Sequence, residues 1–74
     1  MEFRSDLLQR AREQKYKNIN DLLLDMYKIK GVKKHRNTVQ GWEEGRVFPR
    51  VDELLLMAEM LLKPISFFFA NKSK

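Results

Sequence analysis

The middle of the chain decides the fold: residues 19–45 have the sequence INDLLLDMYKIKGVKKHRNTVQGWEEG. In its first half the apolar residues recur every three or four positions, as on one face of an α-helix. These residues are Ile19, Leu22, Leu23, Met26 and Tyr27. Asn18 precedes them and can cap the helix together with Asp21, and Gly31 follows where helices often end in a left-handed residue. The pattern predicts a helix between Asn18 and Gly31.

A second helix should follow this glycine after a turn. We expect it to begin between Lys34 and Arg36 and to end near Glu44, because Gly45 supplies another C-terminal stop. Its inward residues should be Val39 and Trp42, which are three positions apart. Two helices joined in this way predict a helix-turn-helix, numbered helices 2 and 3 of the chain.

The sequence before this motif predicts one further helix. It should run from Asp6 to about Lys17, with Ser5 as its N-cap and Asp6 near the positive end of the helix dipole. Its buried residues should be Leu7, Leu8 and Ala11. β-branched residues do not alternate with polar residues over more than a few positions, so no strands are expected. The 74 residues are therefore expected to form a single all-α domain over residues 1–74.

Two more helices are expected after the motif. Helix 4 should span roughly Val51 to Lys63 and end there because Pro64 disfavours a helical conformation in the residue before it. Its apolar stripe should be Val51, Leu54, Leu55, Ala58, Leu61 and Leu62. Ser66 should cap a last short helix of Phe67, Phe68, Phe69 and Ala70. Residues 71–74 are expected to be a polar tail.

The charge pattern points to an anionic partner. Fifteen Lys and Arg against ten Asp and Glu give a net charge of +5, and residues 26–42 contain no acidic residue. The basic residues of this block are Lys28, Lys30, Lys33, Lys34 and Arg36, with His35 among them. The block is a candidate electrostatic footprint, and the alternative is a solvated segment whose lysines keep the protein soluble.

Several classes of protein are not expected. The chain has no cysteine, so neither disulfides nor a thiolate zinc site is expected, and no apolar run reaches the roughly 20 residues of a membrane span. The N-terminus lacks the order of a secretion signal, so a cytoplasmic, nucleoid-associated location is expected. His35 lacks companions at ligand spacing, so no metal, cofactor or catalytic group is predicted.

A resemblance to a known family rests on three stretches. Residues 38–49 are TVQGWEEGRVFP, residues 52–61 are DELLLMAEML and residues 64–69 are PISFFF. They resemble the Cro and phage-repressor family, also called the xenobiotic-response-element family, as does AREQK at residues 11–15. The Trp-Glu-x-Gly-x-x-x-Pro spacing that begins at Trp42 is the most specific part.

The resemblance implies a compact five-helix lambda-repressor-like domain in which helix 3 enters the major groove. It implies sequence-specific binding of double-stranded DNA by a small transcriptional regulator or repressor of phage or bacterial type. The family usually opens helix 2 with Ser-Gln, whereas this chain has Asn20 and Asp21. An interaction module of the same fold, acting on another regulatory protein as an antirepressor or antitoxin, is the alternative.

The turn also departs from the family pattern. Between Val32 and Thr38 the chain has about two more residues than the family's tight turn, so either the turn is longer or helix 3 begins earlier.

The family's docking implies base contacts from the first two turns of helix 3, here Arg36, Asn37 and Gln40. Arg can pair with guanine and Asn or Gln with adenine, and Gly41 would let the helix approach the groove floor. Their alternative is an ordinary solvated helix face. The candidate phosphate contacts are Lys33, Lys34 and His35, with Thr38, Arg46 and Arg50 as secondary candidates.

Two structural roles complete the expectations. The resemblance implies an ion pair between Arg12 and Glu43 that ties helix 3 to helix 1. Trp42 should belong to the core rather than stack on bases.

A homodimer joined through the C-terminal end is also expected. Three consecutive phenylalanines on a helix point about 100° apart, so at least one should be exposed in a monomer. The predicted interface is Leu56, Met60, Phe67 and Phe68. A two-fold dimer would place two recognition helices about 34 Å apart on a palindromic site. The alternative is that one phenylalanine covers the open end of the core.

Overall fold

The computed structural model describes residues 2–69, which form four α-helices followed by a 3₁₀ helix. The elements are α1 (Ser5–Lys15), α2 (Ile19–Lys30), α3 (Arg36–Glu44), α4 (Val51–Leu61) and the 3₁₀ helix Ile65–Phe69. The described residues contain no strand, so the expected all-α class is confirmed. The fifth helix is a 3₁₀ turn rather than an α-helix. Ala70 and the predicted polar tail 71–74 lie outside the described residues.

The ends of α2 and α3 follow the predicted capping residues. The Asn18 side chain accepts a hydrogen bond from the Asp21 amide at 2.9 Å, which satisfies one of the amides that a helix start leaves unpaired. Gly31 and Gly45 end the two helices with φ of 67° and 79°, a region that glycine enters without a Cβ clash. Local chemistry therefore defines both helices of the motif.

Helix α1 differs from its predicted bounds. The Arg4 carbonyl accepts the first intrahelical hydrogen bonds, so Arg4 rather than Ser5 is the N-cap residue. The helix ends at Lys15 because Tyr16 has an extended backbone. Burial and a hydrogen bond from its hydroxyl to Asp25 at 3.0 Å raise the pKa of Tyr16 to about 12. The phenol is therefore a neutral donor that joins the end of α1 to α2.

Helix α4 ends earlier than predicted, and Pro64 is not its immediate cause. Leu62 adopts a left-handed conformation with φ of 59°, and the Lys63 amide donates to the Ala58 carbonyl at 3.0 Å, as in a Schellman motif. The 3₁₀ helix then starts at Ile65, directly after the proline, so Ser66 lies inside it rather than at its N-cap.

The core lies between the helices, with α1 in contact with α3, α4 and the 3₁₀ helix, and α3 in contact with α2. The largest fully buried side chains are Trp42, Phe68, Leu8, Leu22, Met26, Met57 and Val39. Trp42 is thus a core residue, as predicted. The Arg4 amide donates to the Phe68 carbonyl at 2.8 Å, which holds the start of α1 against the 3₁₀ helix.

The face that α4 buries differs from the predicted stripe. Its core face is Leu54, Met57, Ala58, Met60 and Leu61, whereas Val51, Leu55 and Leu62 are exposed. The helix sequence VDELLLMAEML is apolar at most positions, so more than one helical stripe fits it. Contact with α1 and the 3₁₀ helix selects the stripe that is buried.

The predicted dimer surface is wrong at two positions. Phe68 is 0% exposed and Met60 is buried, so neither offers a surface to a partner. Phe67 and Leu56 are half-buried against the core. The 3₁₀ helix turns more tightly than an α-helix and aims Phe68 into the open end of the core, with its ring in edge contact with Phe67.

Candidate nucleic-acid interface

Residues 31–35 form the turn that joins α2 to α3, and His35 caps the start of α3. The Nδ1 atom of His35 accepts a hydrogen bond from the Asn37 amide at 3.4 Å, and the His35 carbonyl accepts from the amides of Thr38 and Val39. α3 therefore begins at Arg36, within the predicted interval. His35 is exposed and caps the helix, while Thr38 is half-buried.

A ladder of polar side chains runs along the outer side of α3 at four-residue steps. Arg36 Nη1 donates to Gln40 Oε1 at 3.0 Å, and Gln40 Nε2 donates to Glu44 Oε2 at 2.8 Å. Arg46 Nε completes it by donating to Glu44 Oε1 at 2.7 Å. Hydrogen bonds from Gln40 and Arg46 lower the pKa of the Glu44 carboxyl. Asn37 is exposed beside the ladder.

The ladder has two consequences for a ligand. It orients the Arg36 and Gln40 side chains before any partner arrives, which lowers the entropy lost on binding. It also places the carboxylate of Glu44 on the same face, where it disfavours a phosphate but can accept a hydrogen bond from a cytosine amino group. Sequence reasoning missed Glu44, although its four-residue spacing from Gln40 was a usable signal.

Lys34 has a structural partner instead of an exposed position. Its Nζ lies 2.7 Å from Glu53 Oε2, and the other oxygen of Glu53 accepts from the Arg50 amide at 2.8 Å. Burial alone would raise the pKa of Glu53, but the hydrogen bonds from Lys34 and the Arg50 amide lower it. Lys34, which the sequence predicts as a phosphate contact, therefore joins the turn before α3 to the start of α4. Glu53 was missed because nothing in the local sequence links positions so far apart.

Contacts with α4 therefore divide the basic block of residues 26–42 into lysines that pair with α4 carboxylates and lysines that do not. Lys30 lies 2.7 Å from Glu59, so two of its lysines are paired with α4 carboxylates. Lys28 and Lys33 are exposed, and Lys33 Nζ lies 6.0 Å from the centre of the Tyr27 ring. Tyr27 is itself exposed rather than inward, because the buried stripe of α2 is confined to Ile19, Leu22 and Met26.

The secondary arginine candidates are exposed and carry local partners. Arg46 pairs with Glu44, and Arg50 pairs with Asp52 at 2.8 Å. A hydrogen bond from Arg50 lowers the pKa of Asp52. Exposed pairs of this kind contribute little to stability because water screens them, so a phosphate can displace the carboxylate easily.

The expected ion pair between α1 and α3 is present in the structure. Arg12 Nε and Nη2 donate to the two carboxylate oxygens of Glu43, both at 2.9 Å, and both side chains are buried. The hydrogen bonds that Arg12 donates to Glu43 raise the pKa of the Arg12 guanidinium. Arg12 Nη1 also donates to the carbonyls of Tyr16 and Lys17, at 3.3 and 3.1 Å. One guanidinium therefore holds α3 and the turn before α2 together.

Gly41 does not have the predicted role. It is buried, and its carbonyl accepts hydrogen bonds from the amides of Arg46 and Val47. The loop after α3 covers it, so it does not offer a close approach to a groove floor.

Replacing Gly41 with alanine should raise the free energy of unfolding by about 0.5 to 1 kcal/mol, because alanine is the better helix former. A Cβ there would meet Val47 Cγ2 at 3.5 Å, an ordinary van der Waals distance. Urea denaturation measures the change. Gly45→Ala is the control, and it should destabilise, because its φ is 79° and a Cβ would lie 3.2 Å from the Ser5 hydroxyl. A loss of stability in Gly41→Ala would contradict this account of the loop.

The described residues contain no group of three or more His, Cys, Asp or Glu side chains placed to hold a metal ion. None of the helices in residues 2–69 is long and apolar enough to cross a membrane.

Comparisons with protein-family models, with curated proteins and with solved structures found no match to this chain. The resemblance to Cro and phage repressors is therefore an interpretation of the sequence, and the function is argued from the geometry of α3 and its neighbours.

Proposed function

We propose that this protein binds double-stranded DNA sequence-specifically, as a small transcriptional regulator or repressor, with α3 in the major groove. The observation that carries the proposal is an exposed ladder on a helix that is tied at both ends. Lys34 and Glu53 hold the start of α3, and Arg12 and Glu43 hold its end. A side chain that reads bases needs such support, because a displacement of about 1 Å is enough to lose a hydrogen bond.

In this proposal the side chains of the ladder exchange their internal partners for bases. Arg36 reads a guanine through its two parallel donors, while Asn37 and Gln40 read adenine. Lys28 on α2 and Lys33 in the turn before α3 bind phosphates, which set the position of the protein without reading sequence. Such a role implies a cytoplasmic, nucleoid-associated protein.

The proposal is tested by selecting duplexes from a random pool and measuring binding of variants to the selected site. Arg36→Ala and Gln40→Ala should each lose about 1 to 3 kcal/mol of binding and relax the preference at one base pair. Lys33→Ala should weaken all duplexes alike and lower the salt dependence by about one counterion. Arg10→Ala is the matched control, because Arg10 is exposed on another helix, α1. It lies about 200° around the axis of α1 from Arg12, the residue that faces α3.

Two results would overturn the proposal. One is a failure to select any duplex at low salt, where counterion release favours binding. The other is that Arg36→Ala, Gln40→Ala and Arg10→Ala have equal, small effects on the selected site.

A protein-interaction module, as in an antirepressor or antitoxin, is the second candidate. It is favoured by the exposed apolar side chains of α2, since Leu24 and Ile29 are more than half exposed. Asp21 is also exposed in the first turn of α2, where the resembled family places a phosphate-binding glutamine. Absence of duplex binding in the selection would favour this candidate.

A further inference from the structure

A cleft of about 600 Å³ opens at the surface where the residues before α1 meet the end of the 3₁₀ helix. The loop after α3 and the first turn of α4 form its other walls. Its apolar lining is Phe3, Phe48, Pro49, Val51, Leu54 and Phe69, and we call it the phenylalanine cleft. Sites that hold small organic molecules measure about 300 to 1000 Å³, so this cleft has room for such a ligand.

The three phenylalanine rings of the cleft meet edge-on. The centroid of the Phe3 ring lies 5.9 Å from that of Phe48 and 6.2 Å from that of Phe69, with interplanar angles of 63° and 67°. Rings that meet edge-on do not cover one another's faces as stacked rings do, and the face is the negative side of the ring quadrupole. Part of these faces is therefore left open, and a cation is attracted to such a face.

The cleft has an exposed rim and a buried floor. Phe48 and Val51 on the rim are 70% and 72% exposed, whereas Leu54 is 4% exposed. A ligand with an apolar body would cover the two rim side chains and contact the floor, and the removal of apolar surface from water is favourable. The cleft therefore favours a ligand that carries an apolar body.

The charge at the cleft comes from Glu2, whose carboxylate is exposed. Within residues 2–69, Glu2 is the only charged residue that lines the cleft, and it forms no ion pair in this part of the chain. Arg50, the cation closest in sequence to the rim, is engaged by Asp52 at 2.8 Å. The lining is therefore negative, although the whole chain carries a net charge of +5.

We propose that the phenylalanine cleft binds a small organic cation with an apolar body, such as an aryl-alkyl quaternary ammonium. The body lies over the floor between the phenylalanine rings, and the cationic head lies within about 6 Å of a ring centroid and beside the Glu2 carboxylate. The residues of the α3 ladder do not line the cleft. Ligand binding therefore does not depend on DNA binding, and the two proposals are tested separately.

Titration of the whole chain with phenylbutyltrimethylammonium tests the site, with the amide NMR shifts of Phe3, Phe48 and Val51 as the readout. Binding should saturate at millimolar concentrations and be about tenfold tighter than that of phenylbutanol, a neutral molecule with the same apolar body. The anion phenylbutyrate should bind more weakly still. Equal affinity for the ammonium and the alcohol, tighter binding of the anion, or the absence of saturation would overturn the proposal.

Phe48→Leu tests the contribution of the aromatic face. Leucine keeps an apolar side chain on the rim but has no ring, so the variant should bind the ammonium about tenfold more weakly and phenylbutanol almost as well as the wild type does. Circular dichroism should show an unchanged fold, because Phe48 is outside the core. Tyr27→Leu is the matched control, since Tyr27 is an aromatic residue on α2 that is 55% exposed and distant in sequence from the lining. Equal losses of ammonium binding in the two variants would contradict the site.

Glu2→Gln tests the contribution of the carboxylate. The variant should bind the ammonium about threefold more weakly at low salt, and the difference should shrink as salt screens the exposed charge. Its affinity for phenylbutanol should not change. Glu13→Gln is the matched control, because it removes the same charge from an exposed position on α1 outside the lining. Equal losses in the two variants would show that only the net charge of the chain matters, which would contradict the role of Glu2.

Discussion

Replacing Arg12 with alanine should lower the free energy of unfolding by about 3 to 5 kcal/mol, a large fraction of the stability of a domain this small. The change leaves the Glu43 carboxylate buried without its bidentate partner. It also removes the donor to the carbonyls of Tyr16 and Lys17 at the end of α1. Most of the effect is the desolvation of groups left unpaired rather than the attraction between the two charges.

A double-mutant cycle on urea midpoints measures this. Glu43→Ala should cost less than Arg12→Ala, because the carbonyl contacts of Arg12 survive, and the double variant should lose less than the sum of the single losses. The exposed pair of Arg46 and Glu44, at 2.7 Å, is the control, and its cycle should show little coupling because water screens the pair. Additive losses for Arg12 and Glu43 would show that the pair is not coupled.

The second large effect is expected at Phe68. Phe68→Ala should destabilise the fold by about 3 to 5 kcal/mol, because a fully buried ring is replaced by a cavity where the 3₁₀ helix meets the core. Phe48→Ala is the matched control. The Phe48 ring is 70% exposed and touches Phe3 edge-on, so its loss should cost about 1 kcal/mol or less.

Thermal and urea unfolding of the two phenylalanine variants give the comparison. Equal, small losses would mean that Phe68 is a surface residue, as the sequence suggested. A large loss at Phe48 and a small one at Phe68 would reverse the assignment of core and surface at this end of the domain.

Helices α2 and α3 were predictable because their signals are local. Asn18 caps α2, Gly31 and Gly45 accept left-handed φ, and the apolar periodicity between them matches one helix face. Each signal acts within a few residues, so it can be interpreted without the rest of the chain. The resemblance added the ion pair of Arg12 and Glu43, whose partners are far apart in the sequence.

The candidate site was predictable only in part. Arg36, Asn37 and Gln40 lie in the first two turns of α3 as expected. Which lysines of the basic block are paired with carboxylates depended on α4. Glu53 and Glu59 approach Lys34 and Lys30 only after folding. A basic run in the sequence therefore overstated the basic surface of the protein.

By itself, the sequence determined the helical class, the bounds of α2 and the end of α3, because backbone capping and helical periodicity act between neighbours. Tertiary structure alone decided which side of α4 is buried, because VDELLLMAEML is apolar on more than one side and only contact with other helices distinguishes them. It also decided that Phe68 enters the core and that Leu55 and Leu62 do not. Burial is a property of what surrounds a side chain, and in so short a chain those surroundings are assembled from every helix at once.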